Sequence, residues 1–323
     1  MIKLKKLNHC GIMPNYECSA ACRHCLYACS PNRTEGYITD SNIKRVVNSL
    51  KKGSCRSVHI GGGEPFLNFD GLLSLVQALT DNNISIDYIE TNASWATNDY
   101  KIKKYMQALL RAGADTFCIS IDPYHAEFIP YGQPLELARI CKAKGFGFFL
   151  WQERFLSCLK HLNPIKTYSR AELEELIGKD YIYKTAESYR IGYQGRAITI
   201  ENEYEKKRPI ESLLDTTPCY RLLSTDHFHI DMYNRFIPPR CTGIAINMDE
   251  LLEGLPRFKY PAFEALLLGG IKKLFGYAIS KGFVPNSKGY TSKCSLCFYI
   301  RKYLSNHCTE LPKKHYKESL IIH

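Results

Sequence analysis

The chain has 323 residues, of which 45% are hydrophobic, enough for a sizeable buried core but not decisive between one domain and two. Lys and Arg outnumber Asp and Glu by 43 to 32, so the formal net charge is +11 and acidic or polyanionic partners are favoured. The fourteen cysteines occur without a recognisable secretory signal, which argues against disulfide bonds. The sequence contains no run of eighteen apolar residues, so it predicts no membrane-spanning helix. These features predict a cytoplasmic, metal-binding protein.

Strands and helices alternate through the first half of the chain. Hydrophobic patterning predicts strands at 8–16, 57–60, 86–90, 116–121 and 146–151. Helices are predicted at 41–52, 72–79, 100–112 and 135–144, with Gly113 and Gly145 closing the last two. A sixth strand is predicted at 189–197. This alternation indicates βαβ units, a parallel sheet and an α/β fold.

The most informative motif is Cys18-Ser-Ala-Ala-Cys22-Arg-His-Cys25, which places three thiols within eight residues. Thiolates are soft ligands that suit iron–sulfur clusters, zinc or copper. Zinc sites and ordinary ferredoxin clusters take four protein ligands, whereas this spacing provides three. Three thiolates on a cubane cluster leave one iron open to a further ligand.

A glycine-rich stretch, Gly61-Gly62-Gly63-Glu64-Pro65, follows the predicted strand at 57–60. Glycine lets a backbone approach a ligand closely, and a carboxylate can accept a charge-assisted hydrogen bond from an ammonium group. The two motifs together resemble the signature of the radical S-adenosylmethionine (radical SAM) superfamily. Zinc or purely structural cysteines remain the alternatives.

The resemblance implies a partial (β/α)6 TIM-like barrel with active-site residues at the C-terminal strand ends. Cys18, Cys22 and Cys25 would hold a 4Fe–4S cluster that chelates S-adenosylmethionine. The remaining cofactor-binding candidates that the resemblance implies are Gly62, Gly63 and Glu64 at the methionyl ammonium, His24 beside the adenine, and Ser120 and Asp122 at the ribose.

Some of these residues also have simpler interpretations. Ser120 and Asp122 could form only a strand-end turn or a helix cap, and His125 could be structural instead of contacting substrate. Glycines at 192 and 195 would allow close passage of the adenine. Cys29 follows the cysteine loop and could face the cavity as a hydrogen-atom donor.

A second cysteine set comprises Cys219, Cys241, Cys294 and Cys297. It resembles the twitch subdomain, a shortened relative of the SPASM extension, and implies a second, auxiliary 4Fe–4S cluster with four thiolate ligands. A structural zinc with the same ligands is the chief alternative, and Cys308 could replace Cys219. We place the radical SAM core at 1–200 and a smaller α+β iron–sulfur extension at 201–323.

Two features lie between the cysteines of this second set. Family members carry a glycine before the second cysteine, where this chain has Asn234, a residue that tolerates a left-handed turn nearly as well. Residues 227–231 alternate like a strand. Their polar side is expected either to line the approach to the second cluster or to face water.

The function that the resemblance implies is reductive cleavage of S-adenosylmethionine to a 5′-deoxyadenosyl radical, which abstracts a hydrogen atom from a substrate. A peptide or protein undergoing maturation is the first substrate hypothesis, and oxidation of a small carbohydrate-like alcohol is the next. An RNA-modifying enzyme and a non-enzymatic electron carrier are the alternatives, although no RNA-binding module is recognisable. A flavodoxin or ferredoxin would supply the electron to this oxidoreductase, in an anaerobic or microaerobic host.

Overall fold

The computed structural model describes residues 2–321, and eight strands in this range form one sheet. The strands are β1 (Cys10–Met13), β2 (Ser57–Ile60), β3 (Ser85–Thr91), β4 (Thr116–Ser120), β5 (Gly147–Trp151), β6 (Phe228–Asp231), β7 (Arg235–Ile237) and β8 (Ile246–Asn247). Their spatial order is β5-β4-β3-β2-β1-β6-β7-β8. Strands β1 to β6 pair in parallel, whereas β7 and β8 are antiparallel to their neighbours.

The helices of residues 2–321 connect and cover these strands. They are α1 (Asp40–Lys52), α2 (Phe69–Thr80), α3 (Asp99–Ala112), α4 (Pro123–Ala126), α5 (Gly132–Lys144), α6 (Leu156–Leu159), α7 (Arg170–Ile177), α8 (Tyr181–Tyr189), α9 (Ile198–Tyr204), α10 (Met248–Glu253), α11 (Pro261–Ser280), α12 (Lys293–Leu304) and α13 (Lys313–Glu318). Helix α11 contains a kink at Gly269 and Gly270, where the backbone angles are not helical.

Local sequence signals set the bounds of the core elements. Thr39 caps α1 by accepting a hydrogen bond from the backbone N–H of Asn42. Gly113 and Gly145 end α3 and α5 with φ angles of 99° and 66°, in the left-handed region that glycine adopts without strain. These bounds agree with the sequence predictions to within a few residues.

The α/β fold class is confirmed, because β1 to β5 form a parallel sheet in chain order with helices between the strands. The predicted sixth strand at 189–197 is wrong. Helix α8 ends at Tyr189, and the chain then continues without a strand to a 3-10 turn at Gly195–Ala197. The sixth parallel strand is β6, which comes from the C-terminal part of the chain and pairs with β1.

The strand predicted at 227–231 exists as β6, but the interpretation that its polar residues face water is wrong for two of them. His229 and Asp231 are buried. Asp231 accepts hydrogen bonds from the Tyr16 hydroxyl at 2.9 Å and from the Arg235 guanidinium at 2.6 Å. Asn234 has a φ of 58°, so it takes the left-handed turn proposed for it.

The predicted boundary at residues 200 and 201 falls within α9. One hydrophobic core contains side chains from both sides of it, such as Ile12 of β1, Phe263 of α11 and Phe298 of α12. The division into two domains therefore stays a prediction. Within residues 2–321, no helix combines the length and the apolar character needed to cross a membrane.

Candidate metal and cofactor site

The three-thiol loop follows β1 at the C-terminal edge of the sheet. Its conformation is fixed by backbone hydrogen bonds, from Cys18 N to Ser30 O at 3.2 Å and from Cys25 N to Cys22 O at 3.0 Å. Cys18 and Cys25 are partly buried, and Cys22 is buried. The strand end thus delivers three thiols to one place.

Arg196 stabilises the cysteine loop through hydrogen bonds to its backbone. Its guanidinium is 1% exposed and donates hydrogen bonds to the carbonyl oxygens of Cys22 at 3.0 Å and Cys29 at 3.1 Å. Gly195 has a φ of 55°, and a Cβ built on it would lie 2.1 Å from the carbonyl oxygen of Leu26. Glycine at 195 therefore lets this segment lie against the cysteine loop.

The thiols differ in how readily they ionise. A hydrogen bond from the Cys29 thiol lowers the pKa of Cys25 to about 5, although burial opposes this shift. Burial raises the pKa of Cys18 well above its ordinary value, and the neighbouring Cys22 adds to the effect. A bound cation would stabilise the thiolate that burial disfavours, as expected for a metal ligand.

The spacing of the thiols bears on the kind of metal group. Sulfur ligands of one tetrahedral zinc ion lie about 3.8 Å apart, given Zn–S bonds of about 2.3 Å. Within residues 2–321, no three cysteines bring their sulfur atoms within 4.8 Å of one another. By this measure the described sulfur atoms of neither cysteine set meet at the spacing of a single zinc ion.

The glycine-rich stretch packs against the chain that leads into the cysteine loop. A Cβ on Gly63 would lie 1.8 Å from the carbonyl oxygen of Glu17, and Gly62 has a φ of 112°. Hydrogen bonds from Gly63 N to Asn15 O and from Glu64 N to Glu17 O hold the two segments together. No other residue type fits at Gly63 without displacing this backbone.

A cavity of about 180 Å³ lies between the cysteine loop and the strand ends. Seven predicted site residues line it: Cys18, Cys22, Cys25, His24, Gly62, Gly63 and Ser120. Cys29 and His125, which the sequence left open, line it as well. The structure therefore brings together most of the first cysteine site and its predicted cofactor contacts.

His24 lies among aromatic rings. Its ring stacks on Tyr124 at a centroid distance of 4.7 Å and is 5.2 Å from Tyr189. Its Nδ1 is buried without a hydrogen-bond partner in residues 2–321, and burial lowers the pKa of the ring to about 4. A neutral ring with an apolar stack is suited to contact a flat ligand.

Glu64 and Asp122 are the predicted contacts that do not line this cavity. The Glu64 carboxylate accepts hydrogen bonds from Thr91 Oγ1 at 3.0 Å and Asn92 N at 2.8 Å, so it ties the end of β3 to the glycine stretch. Asp122 caps α4 and accepts hydrogen bonds from His125 Nδ1 and the Tyr189 hydroxyl. Their direct contact with a cofactor stays a prediction.

Three polar residues of the cavity lining, Glu90, Thr91 and Asn92, are not among the site residues that the sequence predicted. They are consecutive at the end of β3, and the Nδ2 of Asn92 donates to Cys18 Sγ at 3.5 Å. His125 lies beside Cys22; burial opposes its charged form, but Asp122 and Cys22 outweigh it and raise the pKa of His125. Position at a strand end is the signal that could have selected Glu90 and Asn92.

The four cysteines of the second set also lie near one another. Burial raises the pKa of Cys241 to about 12, and the Cys297, Cys294 and Cys219 thiols add to this shift. Arg301 is 1% exposed and lies close enough to Cys241 to lower its pKa, against the effect of burial. Its Nε is buried without a hydrogen-bond partner in residues 2–321. A fixed cation of this kind suits a group of negative thiolates.

Cys308 lies in a different environment from the other four. Its sulfur is 3.9 Å from the Tyr277 hydroxyl, and the charged groups that affect its pKa are Glu310 and Lys281. The pKa of Cys219 is raised by burial and then by the neighbouring Cys297 thiol. The structure therefore groups Cys219, not Cys308, with the other three cysteines.

A parallel α/β sheet with three thiols and a glycine-lined cavity at its C-terminal edge defines the chain as a candidate iron–sulfur protein of the partial-barrel class. The sequence model of the radical SAM superfamily matches residues 12–162, which include the end of β1, the cysteine loop, the glycine stretch and β2 to β5. Residues 12–162 therefore contain a radical SAM domain.

Known proteins show further similarity. A putative peptide biosynthesis protein, YydG of Bacillus subtilis (strain 168), is 27% identical over 112 residues. The match covers 35% of this chain and 35% of that protein, so the chain matches about a third of its curated relative. Among solved structures, BtrN in complex with AdoMet and 2-DOIA is 15% identical with a TM-score of 0.45, covering 84% of this chain and 91% of BtrN. Streptococcus suis SuiB bound to the precursor peptide SuiA is 17% identical with a TM-score of 0.38, covering 92% and 76%.

Proposed function

We propose that this protein cleaves S-adenosylmethionine reductively and uses the product to oxidise or otherwise modify a peptide. The observation that carries the proposal is the convergence of Cys18, Cys22 and Cys25 with Gly62 and Gly63 around one cavity, within a radical SAM domain. When bound, the 4Fe–4S cluster and S-adenosylmethionine supply a 5′-deoxyadenosyl radical that abstracts a hydrogen atom from the substrate.

The residues of this chain bind and orient those groups. Cys18, Cys22 and Cys25 are the proposed cluster ligands, and the hydrogen bonds to Cys18 from Asn92 and to Cys25 from Cys29 stabilise negative charge on sulfur. Gly62 and Gly63 let a ligand approach the main chain. The Glu64 carboxylate already accepts a hydrogen bond from Asn92 N at the end of β3. The carboxylate that lines the cavity is that of Glu90.

The aromatic and strand-end residues complete the cavity. His24, stacked on Tyr124, provides the flat contact for an adenine ring, and Ser120 provides a hydroxyl at the end of β4. Asp122 acts through its neighbours, because it fixes His125 and Tyr189 beside the site. Of these groups Tyr124 and Asp122 are buried, so they shield their side of the cavity from water.

The substrate class rests on the relative whose name refers to peptide biosynthesis. A second cavity of about 290 Å³ is lined by both halves of the chain, including Arg33, Arg235 and Lys313. Arg33 and Arg235 are paired with Glu35 and Asp231, so Lys313 is the cation of this group that would receive an acidic segment of a peptide. The net charge of +11 likewise favours an acidic electron donor such as a flavodoxin or ferredoxin. A cytoplasmic location and an anaerobic host belong to the same proposal.

The wild-type protein tests the activity directly. After anaerobic reconstitution with iron and sulfide, we expect reduced protein to convert S-adenosylmethionine into 5′-deoxyadenosine and methionine. With a deuterated peptide encoded by a neighbouring reading frame, deuterium should appear in the 5′-deoxyadenosine. No 5′-deoxyadenosine under strong reduction would contradict the enzyme, whereas unlabelled product would contradict only that peptide as the substrate.

We also propose that Cys219, Cys241, Cys294 and Cys297 hold an auxiliary 4Fe–4S cluster in a twitch-like extension. Their mutual influence on pKa and the neighbouring Arg301 support this ligand set. Such a cluster would have no open iron, so it would accept an electron from the substrate radical without binding substrate.

The auxiliary cluster is tested by counting metal. Cys241→Ala should lower the iron content of the reconstituted protein by about four ions per chain, because one thiolate of a four-ligand cluster is lost. Cys308→Ala is the matched control and should retain the wild-type iron content, since Cys308 lies beside Tyr277 and Glu310. Equal iron in both variants, or zinc in place of iron, would contradict the proposal.

A further inference from the structure

Four histidines lie together at the amino-terminal side of the sheet, on the face that carries Gly11. His9 and His227 directly precede β1 and β6, whereas His59 and His229 are within β2 and β6. In every pair of these rings except His9 and His229, the centroids are 5.2 to 5.5 Å apart. The proposed function uses none of them.

Three of these rings bring one nitrogen each close together, and their planes are within 10° to 22° of parallel. His9, His59 and His227 each offer one nitrogen, and the three atoms lie within 4.8 Å of one another. His9 Nδ1 and His227 Nδ1 are 3.4 Å apart. Two imidazole nitrogens on one tetrahedral zinc ion are separated by about 3.4 Å, given Zn–N bonds of about 2.0–2.1 Å. The Nδ1 atoms of His9 and His227 are therefore already at the spacing of two ligands of one zinc ion.

Asp87 sets the orientation of the first ligand. The Nε2 of His9 is 3.0 Å from the Asp87 carboxylate, and a hydrogen bond to that acceptor places the ring proton on Nε2. The lone pair is then on Nδ1, the atom that faces His227. A carboxylate on the outer nitrogen of a histidine is the usual support of a metal ligand.

The two ring nitrogens of His59 differ in their hydrogen-bond partners. The side chain is 0% exposed, and its Nδ1 is buried without a hydrogen-bond partner in residues 2–321. Its Nε2 is the atom that lies 3.3 Å from His229 Nε2 and 3.7 Å from Glu90 Oε1. Nδ1 is therefore the atom left for a ligand, and a metal bond would satisfy this buried polar group.

Gly11 makes the arrangement possible. It pairs with both His59 and His229 across the sheet, and a Cβ on it would lie 2.4 Å from His59 Nε2 and from His229 Cδ2. Any other residue would push these rings apart. The exposed ring of His227 and the partly exposed ring of His9 leave the group open to solvent, so an ion has a path to it.

We propose that His9, His59 and His227 form a zinc-binding site, with Asp87 supporting His9 and a water molecule as the fourth ligand. Neutral imidazole is a preferred zinc ligand, and three histidines with one open position are an established coordination. The site would join β1 and β2 of the radical SAM core to β6 of the C-terminal part. Zinc would therefore stabilise the attachment of that part to the core.

Zinc retention by two single variants tests the site. Protein whose cysteines are already occupied by reconstituted clusters is equilibrated with zinc sulfate, desalted and analysed for metals. Wild type and His161→Ala, an exposed histidine outside the group, should retain about one zinc ion per chain, and His227→Ala should retain almost none. Zinc should also raise the Tm of wild type but not of His227→Ala.

Two further measurements separate this site from others. X-ray absorption at the zinc edge should show nitrogen or oxygen neighbours at about 2.0–2.1 Å, and sulfur neighbours at about 2.3 Å would assign the zinc to cysteines and overturn the proposal. Asp87→Asn should weaken zinc binding about 10-fold to 100-fold. Equal zinc retention by wild type and His227→Ala, or no retention by wild type, would also overturn it.

Discussion

Replacing Cys18, Cys22 and Cys25 together with alanine should reduce 5′-deoxyadenosine formation to the level seen without protein. These three thiols are the proposed ligands of the cluster at the cavity, and among residues 2–321 the cavity lining offers one further cysteine, Cys29, which cannot replace all three. Electrons would then have no route to S-adenosylmethionine. The iron content of the reconstituted protein should fall by about four ions per chain and leave about four on the second cysteine set.

The matched control for this variant is Cys158→Ala. Cys158 is half-buried on α6, and its thiol donates only to the carbonyl oxygen of Phe155. It should retain both the iron and the activity of wild type. The EPR signal of reduced wild type should change when S-adenosylmethionine is added, and that of the triple variant should not. Activity that survives in the triple variant would show that the cysteine loop is not the catalytic centre.

Gly195→Ala should also abolish most activity, although residue 195 has no reactive side chain. The added Cβ would lie 2.1 Å from the carbonyl oxygen of Leu26, so the cysteine loop or the Gly195–Ala197 turn must move. Arg196 would move with it and lose its hydrogen bonds to Cys22 and Cys29. We expect at least about a 10-fold loss of activity, in line with about 1.4 kcal/mol or more of lost positioning.

Gly145→Ala separates this clash from the general cost of a left-handed residue. Gly145 has a φ of 66°, close to the 55° of Gly195, but a Cβ on it meets nothing within 4 Å. Both variants should lose about 1–2 kcal/mol of stability through backbone strain. Only Gly195→Ala should also lose iron and 5′-deoxyadenosine formation. Similar activity in the two variants would mean that the contact with Leu26 does not position the cysteine loop.

The glycine at 195 also shows where sequence reasoning reached its limit. Its neighbours, aromatic and apolar residues around two glycines, resemble a strand that passes a ligand. In the structure the segment instead packs against a loop about 170 residues earlier in the chain, as the hydrogen bond from Arg196 N to Cys25 O shows. Local pattern cannot distinguish a glycine needed by a ligand from one needed by a distant backbone.

Glu64 illustrates the same limit within the site. The motif correctly indicated that this stretch lies beside the cysteine loop, because glycines that permit close backbone approach are a local property. Besides the local N–H of Phe66, the carboxylate accepts a hydrogen bond from the N–H of Asn92, 28 residues away. Which carboxylate faces the cavity therefore depended on the pairing of β2 with β3.

The sequence by itself determined the order of the core strands and helices, the helix ends at Gly113 and Gly145, and the spacing of the two cysteine sets. These follow from residue type and short-range spacing, which act within one element or one loop. The tertiary structure alone decided that β6 is the sixth parallel strand and that it brings His227 beside His9 and His59. Residues separated by 218 positions meet only through strand register, which depends on how the whole sheet packs.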